Sequence, residues 1–107
     1  NSVYLDDMLE SINLIFDYTC YLTEIEFENN QEKQDAVLRR LEIIEEASKN
    51  ISENLKFKNP NIPWKEIAGL RDIVIHRYFG VCPKIIWKVI IEDLPVLKKQ
   101  IEEIHCH

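Results

Sequence analysis

Four side chains within the segment Trp64–Val81 have types and spacings that could do chemistry. Arg71 is a permanent cation able to bind an anion, and His76, five residues later, carries an imidazole that gains and loses a proton near neutral pH. Asp72 and Tyr78 add a carboxylate and a phenol to the same short stretch. This segment, WKEIAGLRDIVIHRYFGV, is therefore the candidate site.

A straight helix would not bring all four groups to one place. At 100° per residue, Arg71 and Tyr78 lie on one side, whereas Asp72 and His76 share another. Arg71 and His76 diverge by about 140°. Two arrangements remain open: the helix ends near His76, as Gly80 permits, or a second subunit of a two-fold dimer adds its groups to a shared cleft.

Each of these residues also has an ordinary structural interpretation. Arg71 could form an ion pair with Asp72 or Glu66. His76 could lie at a helix end or be partly buried, and Tyr78 could be a half-buried aromatic. Spacing alone favours these ordinary interpretations.

The elements that must position the site are helices, because apolar residues recur at intervals of three and four along most of the chain. This period predicts a first helix over residues 4–23. It predicts a second helix that begins at a cap on Asn29 and continues to Leu55. Two prolines and two asparagines predict a loop over residues 56–63, with a third helix from Trp64 onward.

Glycine and proline divide the last third of the chain. Gly80 predicts the end of the third helix, and Pro83 predicts the start of a fourth. Pro95 should kink or divide that fourth helix, because proline costs about 3 kcal/mol in a helix interior. The sequence has no run of alternating strands, so it predicts an all-α fold, an antiparallel four- to five-helix bundle in a single domain over residues 1–107.

Composition excludes several classes of protein. The 107 residues are 46% hydrophobic and 30% charged, which is typical of a globular protein and not of a disordered one. Apolar runs fall far short of the ~18 residues of a membrane span, so no membrane contact and a cytoplasmic location are expected. Two glycines cannot build a phosphate-cradling loop, and no His-Glu-x-x-His motif occurs, so we expect no cofactor and no metal.

The net charge of −6 argues against a nucleic-acid protein, but the charge is uneven. Residues 1–54 carry 4 basic and 13 acidic side chains, and residues 55–107 carry 9 basic and 6 acidic ones. A polyanion responds to the nearby field, so this asymmetry permits a locally basic site on an acidic protein.

The three cysteines, Cys20, Cys82 and Cys106, are odd in number and lack a Cys-x-x-Cys pair, which argues against a disulfide framework or a zinc site. We expect buried free thiols. His105, Cys106 and His107 have metal-ligand types, but adjacent residues of a helix point in different directions, so a frayed terminus is the preferred interpretation.

The motif Arg-x4-His-x-Tyr, formed by Arg71, His76 and Tyr78, resembles that of the HepT family within the HEPN superfamily, the toxin halves of MntA/HepT-type toxin-antitoxin pairs. The similarity covers nearly the whole chain, through LRRLEIIEEASKNI, NIPWKEIAGLRDIVIHRYFGV and IIWKVIIEDLPVLKKQI. Asp72 has the polar type expected after the arginine. Glu45 departs from the pattern, since the family commonly has glycine there, and this difference bears on helix packing or on the charge of the cleft.

The resemblance implies a homodimeric, metal-independent endoribonuclease with an RNA substrate. His76 would take the proton of a ribose 2'-hydroxyl and later act as the acid, and Arg71 would bind the phosphate and stabilise the transition state. Asp72 would orient the imidazole, although a solvated helix charge explains it equally well. The expected products are a 2',3'-cyclic phosphate and a 5'-hydroxyl, and DNA should be inert.

Tyr78 has a second implied role, because the matching tyrosine in HepT-like toxins is the residue to which an MntA-type nucleotidyltransferase antitoxin attaches AMP. The added charge and base would occupy Arg71 and inhibit the enzyme. The alternative is a non-catalytic binding subunit that docks the nucleotidyltransferase. A pure scaffold has no chemical reason to keep both Arg71 and His76, so the enzyme is preferred, and a free-standing nucleotide-binding module ranks last.

Overall fold

Helices form all the regular secondary structure in the described part of the computed structural model, residues 2–76 and 82–105. The all-α prediction is therefore confirmed. The elements in chain order are α1 (Ser2–Thr19), α2 (Glu24–Glu28), α3 (Gln31–Lys49), α4 (Glu53–Lys58), α5 (Trp64–Ala68), α6 (Leu70–His76), α7 (Pro83–Lys88), a π-helical turn (Val89–Asp93) and α8 (Leu94–His105).

The core lies where the two long helices, α1 and α3, pack against each other, and α8 packs on α1. Each of these helices buries an apolar stripe with the three- and four-residue period seen in the sequence. The central members of the stripes are completely buried: Met8, Ile12, Ile15, Val37, Leu41, Ile44 and Ile101. Burying one such side chain contributes roughly 1.5–3 kcal/mol, so this contact fixes the position of α3.

The first helix is shorter than predicted, because α1 ends at Thr19 and the separate helix α2 follows. Thr23 caps α2 through a reciprocal pair of hydrogen bonds: its hydroxyl accepts from the Glu26 N–H at 3.2 Å, and its own N–H donates to Glu26 Oε1 at 2.9 Å. The predicted helix end at Thr23 was wrong, because that prediction followed the apolar period, which continues across this break.

The second predicted helix differs at both ends. Its cap is Asn30 and not Asn29, since Asn30 Oδ1 accepts from the Lys33 N–H at 3.0 Å. It ends at Lys49, and Ser52 then caps α4 by accepting from the Leu55 N–H at 3.2 Å. The predicted continuation of the second helix to Leu55 was wrong, because α3 ends at Lys49 and α4 is a separate helix. The predicted start of the loop at Lys56 was wrong, because α4 runs as far as Lys58.

The third predicted helix does begin at Trp64, directly after Pro63. Its start is anchored by the indole Nε1–H of Trp64, which donates to the Asn59 carbonyl at 3.0 Å. Gly69 separates α5 from α6 but keeps helical dihedral angles, with φ −69° and ψ −13°. The predicted stop at Gly80 lies outside the described residues.

Both prolines of the last third act as predicted. Pro83 is the first residue of α7. The helix that follows is divided before Pro95 by the π-helical turn, in which the Leu94 N–H donates to the Val89 carbonyl five residues earlier. Proline has no N–H to donate, and the wider turn changes the hydrogen-bond register just before it.

The prediction of buried thiols was wrong for two of the three cysteines, because Cys20 and Cys82 are exposed. Cys20 lies in the turn after α1, and Cys82 precedes α7, so neither belongs to an apolar helix stripe. Cys106 lies outside the described residues. A separate observation concerns membranes: within the described ranges, no helix has the length and apolar character needed to cross a bilayer.

Candidate functional site

Arg71 and Asp72 are exposed residues in the first turn of α6. The helix is held in place from beneath, because Leu70 is buried and the half-buried Ile73 and Val74 pack against the core. These contacts turn the apolar side of α6 toward α3. The guanidinium and the carboxylate are thus presented at the surface by a helix whose opposite side is fixed.

A groove of about 360 Å³ lies between α6 and α3 and contains Arg71. One wall comes from α6, with Arg71, Val74 and Ile75. The other wall comes from α3 and carries only charged residues: Glu42, Glu45, Glu46 and Lys49. The groove therefore places two cations and three carboxylates around one space.

Lys49 contacts two of the carboxylates of this groove. Its Nζ lies 3.1 Å from Glu45 Oε1 and 3.5 Å from Glu46 Oε1, and its side chain is 46% exposed. The side chain of Glu45, by contrast, is only 6% exposed. The hydrogen bond and negative charge of Glu45, aided by Glu46, raise the pKa of Lys49 above its usual 10.5.

Arg71 has no carboxylate partner in the described part of the chain. No Asp or Glu oxygen there lies within 4.0 Å of its guanidinium, so the ion pairs with Asp72 or Glu66 that the sequence left open are not formed. A guanidinium has five N–H donors in a planar fork that matches a phosphate. Arg71 is thus an exposed cation without a competing carboxylate contact.

The side-chain positions of His76 and Tyr78, the other members of the motif, stay predictions. The described part of α6 extends to His76, which fixes the backbone of that residue, and Tyr78 lies outside the described residues. The structure thus brings Arg71 together with side chains of α3. Its relation to the imidazole and the phenol rests on the sequence.

Lys49 was missed by sequence reasoning. Its spacing of four from Glu45 signals a helical ion pair, but nothing local connects it with Arg71, since α3 and α6 are separated by two further helices. Glu45 was singled out only as a departure from a family pattern. The packing of α6 on α3 brings Glu45 and Lys49 into the same groove as Arg71.

Among the side chains that the structure describes, no group of three or more His, Cys, Asp or Glu is placed to hold a metal ion. The side chain of His105, with Cys106 and His107, lies outside the described residues. The predicted frayed terminus at these residues thus stays a prediction.

The all-helical fold and the exposed Arg71 of the Arg-x4-His-x-Tyr motif are consistent with the HEPN-like fold that the resemblance implies. The family model described as Ribonuclease HepT-like matches residues 8–104, and the chain belongs to this ribonuclease family.

Curated relatives agree with this assignment. The chain is 46% identical over 99 residues to "Putative RNase MJ1380" of Methanocaldococcus jannaschii, covering 92% of this chain and 91% of that protein. It is 46% identical over 101 residues to "Probable ribonuclease HepT" of Thermococcus cleftensis, covering 94% and 92%. It is 48% identical over 102 residues to "Gamma-glutamylcyclotransferase and putative RNase MJ0434" of M. jannaschii, covering 95% of this chain but 46% of that protein. No solved structure gives a significant match.

Proposed function

We propose that this chain is a metal-independent endoribonuclease that cuts RNA by attack of a ribose 2'-hydroxyl on the adjacent phosphodiester, and that it acts as the toxin of a toxin-antitoxin pair. The observation that carries the proposal is the complete Arg-x4-His-x-Tyr motif in a member of a ribonuclease family. The exposed Arg71, free of carboxylate contacts in the described residues, supports it.

Arg71 binds the scissile phosphate in this proposal. Its guanidinium reaches two nonbridging oxygens at once and stabilises the extra negative charge of the pentacoordinate transition state. Lysine would supply the charge but not the planar, two-point contact.

His76 moves the protons. Its neutral imidazole removes the proton of the 2'-hydroxyl as O2' attacks phosphorus, and the resulting imidazolium returns a proton to O5' as the P–O5' bond breaks. The products are a 2',3'-cyclic phosphate and a 5'-hydroxyl. Asp72, one turn before His76 on α6, supports the orientation and the protonated form of the imidazole.

A homodimer supplies the geometry that one helix lacks. Because α6 is helical from Leu70 to His76, the divergence of about 140° between Arg71 and His76 applies to a single protomer. A two-fold pair of α6 segments, each facing the other, brings the guanidinium of one protomer near the imidazole of its partner.

Tyr78 is the regulatory residue in this proposal. An MntA-type nucleotidyltransferase antitoxin transfers AMP to the phenol, forming a phosphodiester to the tyrosine oxygen and releasing pyrophosphate from ATP. The new negative charge competes with RNA for Arg71, and the adenosine blocks the cleft.

One observation favours the alternative, a non-catalytic subunit that docks a nucleotidyltransferase. The groove beside Arg71 holds three carboxylates and two cations, so its formal charge opposes a polyanion. Metal-free cleavage distinguishes the two functions: in EDTA the purified, unmodified protein should cut RNA but not DNA of the same sequence. Arg71→Ala and His76→Ala should each abolish cleavage, and Lys99→Ala, on the exposed side of α8, should not. A wild-type protein that leaves RNA intact would favour the docking subunit.

A further inference from the structure

Lys49 and Arg71 come from different helices and line the same groove. We propose that Lys49 is a second phosphodiester-binding residue, which contacts the RNA backbone beside the phosphate held by Arg71. This inference rests on the proposed function and assigns a role to a residue outside the motif.

The contacts of Lys49 leave it able to take a ligand. An ammonium has three N–H donors, and two carboxylates, Glu45 at 3.1 Å and Glu46 at 3.5 Å, are its ion-pair partners. The side chain is nearly half exposed, on the wall opposite Arg71. A phosphate oxygen in the groove can therefore accept from an N–H of this ammonium without displacing Glu45.

The burial of Glu45 explains why Lys49 stays in the groove. An ordinary surface lysine is loosely held, and ordering its long side chain on binding costs free energy. Glu45 is only 6% exposed, and a buried carboxylate strongly favours a nearby cation. The pair thus restrains the Lys49 ammonium before RNA arrives, which lowers the entropy lost on binding.

The second cation makes the groove less negative. With Lys49, the lining residues carry three negative and two positive charges; without it, Arg71 would stand alone against three carboxylates. Glu42 is partly neutralised from outside the groove lining by Arg39, whose Nη1 lies 3.2 Å from Glu42 Oε1. Lys49 offsets one of the two remaining carboxylates, Glu45 and Glu46, so the groove repels a phosphate less strongly than it would without this lysine.

Equilibrium binding separates this role from a structural one. The probe is a fluorescein-labelled RNA in which every ribose is 2'-O-methylated, so that it binds but cannot be cut, and its anisotropy gives Kd at several salt concentrations. Lys49→Met should raise Kd by about 5- to 20-fold at low salt and should reduce the slope of log K against log salt by about 0.7, the value for one phosphate contact on a single strand. Lys49→Arg should stay within about twofold of wild type, because it keeps the charge.

The matched controls address charge and folding. Lys99→Met removes a lysine from the exposed side of α8 and should change Kd by less than about twofold. Lys49→Met leaves the Glu45 carboxylate without its cation, so the double variant Glu45→Gln/Lys49→Met is compared with Glu45→Gln. This comparison isolates Lys49 in a groove without the buried charge, and the same loss of affinity is expected.

The outcomes distinguish this inference from the proposed function. If Lys49→Met and the double variant bind the probe as tightly, and with the same salt slope, as Lys99→Met and Glu45→Gln, Lys49 is only a structural partner of Glu45 and the inference is overturned. Cleavage lost in Arg71→Ala would still support the ribonuclease. If binding depends on Lys49 but no RNA is cut, the phosphate site is supported and the catalytic proposal fails. A wild-type protein that does not bind the probe overturns the inference.

Discussion

Glu45 and Lys49 form an ion pair across one turn of α3, with 3.1 Å between Glu45 Oε1 and Lys49 Nζ, in which the acid is buried and the base is half exposed. This asymmetry is informative, because the two partners lie in different environments. The carboxylate has almost no access to solvent and is compensated by this cation, whereas the lysine side chain is also in contact with solvent.

We predict that Lys49→Met destabilises the protein through Glu45. Removing the cation leaves a buried carboxylate without its partner, and the thermal midpoint should fall by roughly 3–6 °C. The double variant Glu45→Gln/Lys49→Met should recover most of this loss, since it removes the buried charge as well. Circular dichroism melts check both values, and an equal loss in Lys99→Met would show that the effect is not specific to the pair.

The same pair predicts a pH dependence at the alkaline end. Contact with Glu45 raises the pKa of Lys49 in the folded protein above the usual 10.5, so the folded state holds that proton more tightly than the unfolded state. The stabilisation is fully present below the unfolded pKa and is lost as pH rises through the folded pKa. The difference in thermal midpoint between wild type and Lys49→Met should therefore be constant from about pH 7 to 9 and should shrink above about 10.5.

A difference that stays constant above that pH would contradict the assignment of the raised pKa to the folded-state ion pair.

Co-expression with a nucleotidyltransferase of the MntA type should modify Tyr78. Intact-mass spectra of the purified chain should show AMP-sized increments that disappear in Tyr78→Phe, and the modified wild type should lose RNA cleavage. Tyr21→Phe is the matched control, because Tyr21 is 93% exposed and lies in the turn after α1. Increments that persist in Tyr78→Phe would place the modification on another residue.

Truncating one side chain in the core between α1 and α3 should lower the free energy of unfolding far more than truncating one at the surface. Ile12 is completely buried, and Ile12→Ala should reduce the free energy of unfolding by about 2–5 kcal/mol, through lost burial and the cavity left behind. Ile25, 70% exposed on α2, provides the control, since Ile25→Ala should change stability by no more than about 0.5 kcal/mol. Urea titration followed by circular dichroism measures both. Similar losses in the two variants would contradict the assigned core.

Sequence reasoning succeeded where the physical cause is local. Pro83 opens a helix because its fixed φ suits the first turn, and Pro95 divides a helix because it cannot donate a hydrogen bond. The break between α1 and α2 was missed, because the apolar period continues through it. The capping box of Thr23 and Glu26 starts α2 as a separate helix. The predicted cap on Asn29 was wrong, and Asn30 caps α3 instead, because the two adjacent asparagines have the same capping chemistry.

The site was predictable only in part, because part of it depends on packing between helices that are distant in the sequence. Arg71 lies in a linear motif that can be read from the sequence, and the structure places it at the surface without a carboxylate contact in the described residues. The approach of Lys49 to the same groove comes from the packing of α6 on α3, which joins residues more than 20 positions apart. Periodicity identifies which side of a helix is apolar, but it does not identify the helix that will cover it.

Cys20 and Cys82, the exposed thiols in the described part of the chain, give a way to test the proposed homodimer in solution. Cys20 follows α1 and Cys82 precedes α7, so nitroxide labels on these side chains would leave the helix core untouched. When the other cysteines, including Cys106, are replaced by serine, each chain carries one label and any dipolar coupling must arise between chains. The two distance distributions would then constrain how the chains of the proposed homodimer are arranged.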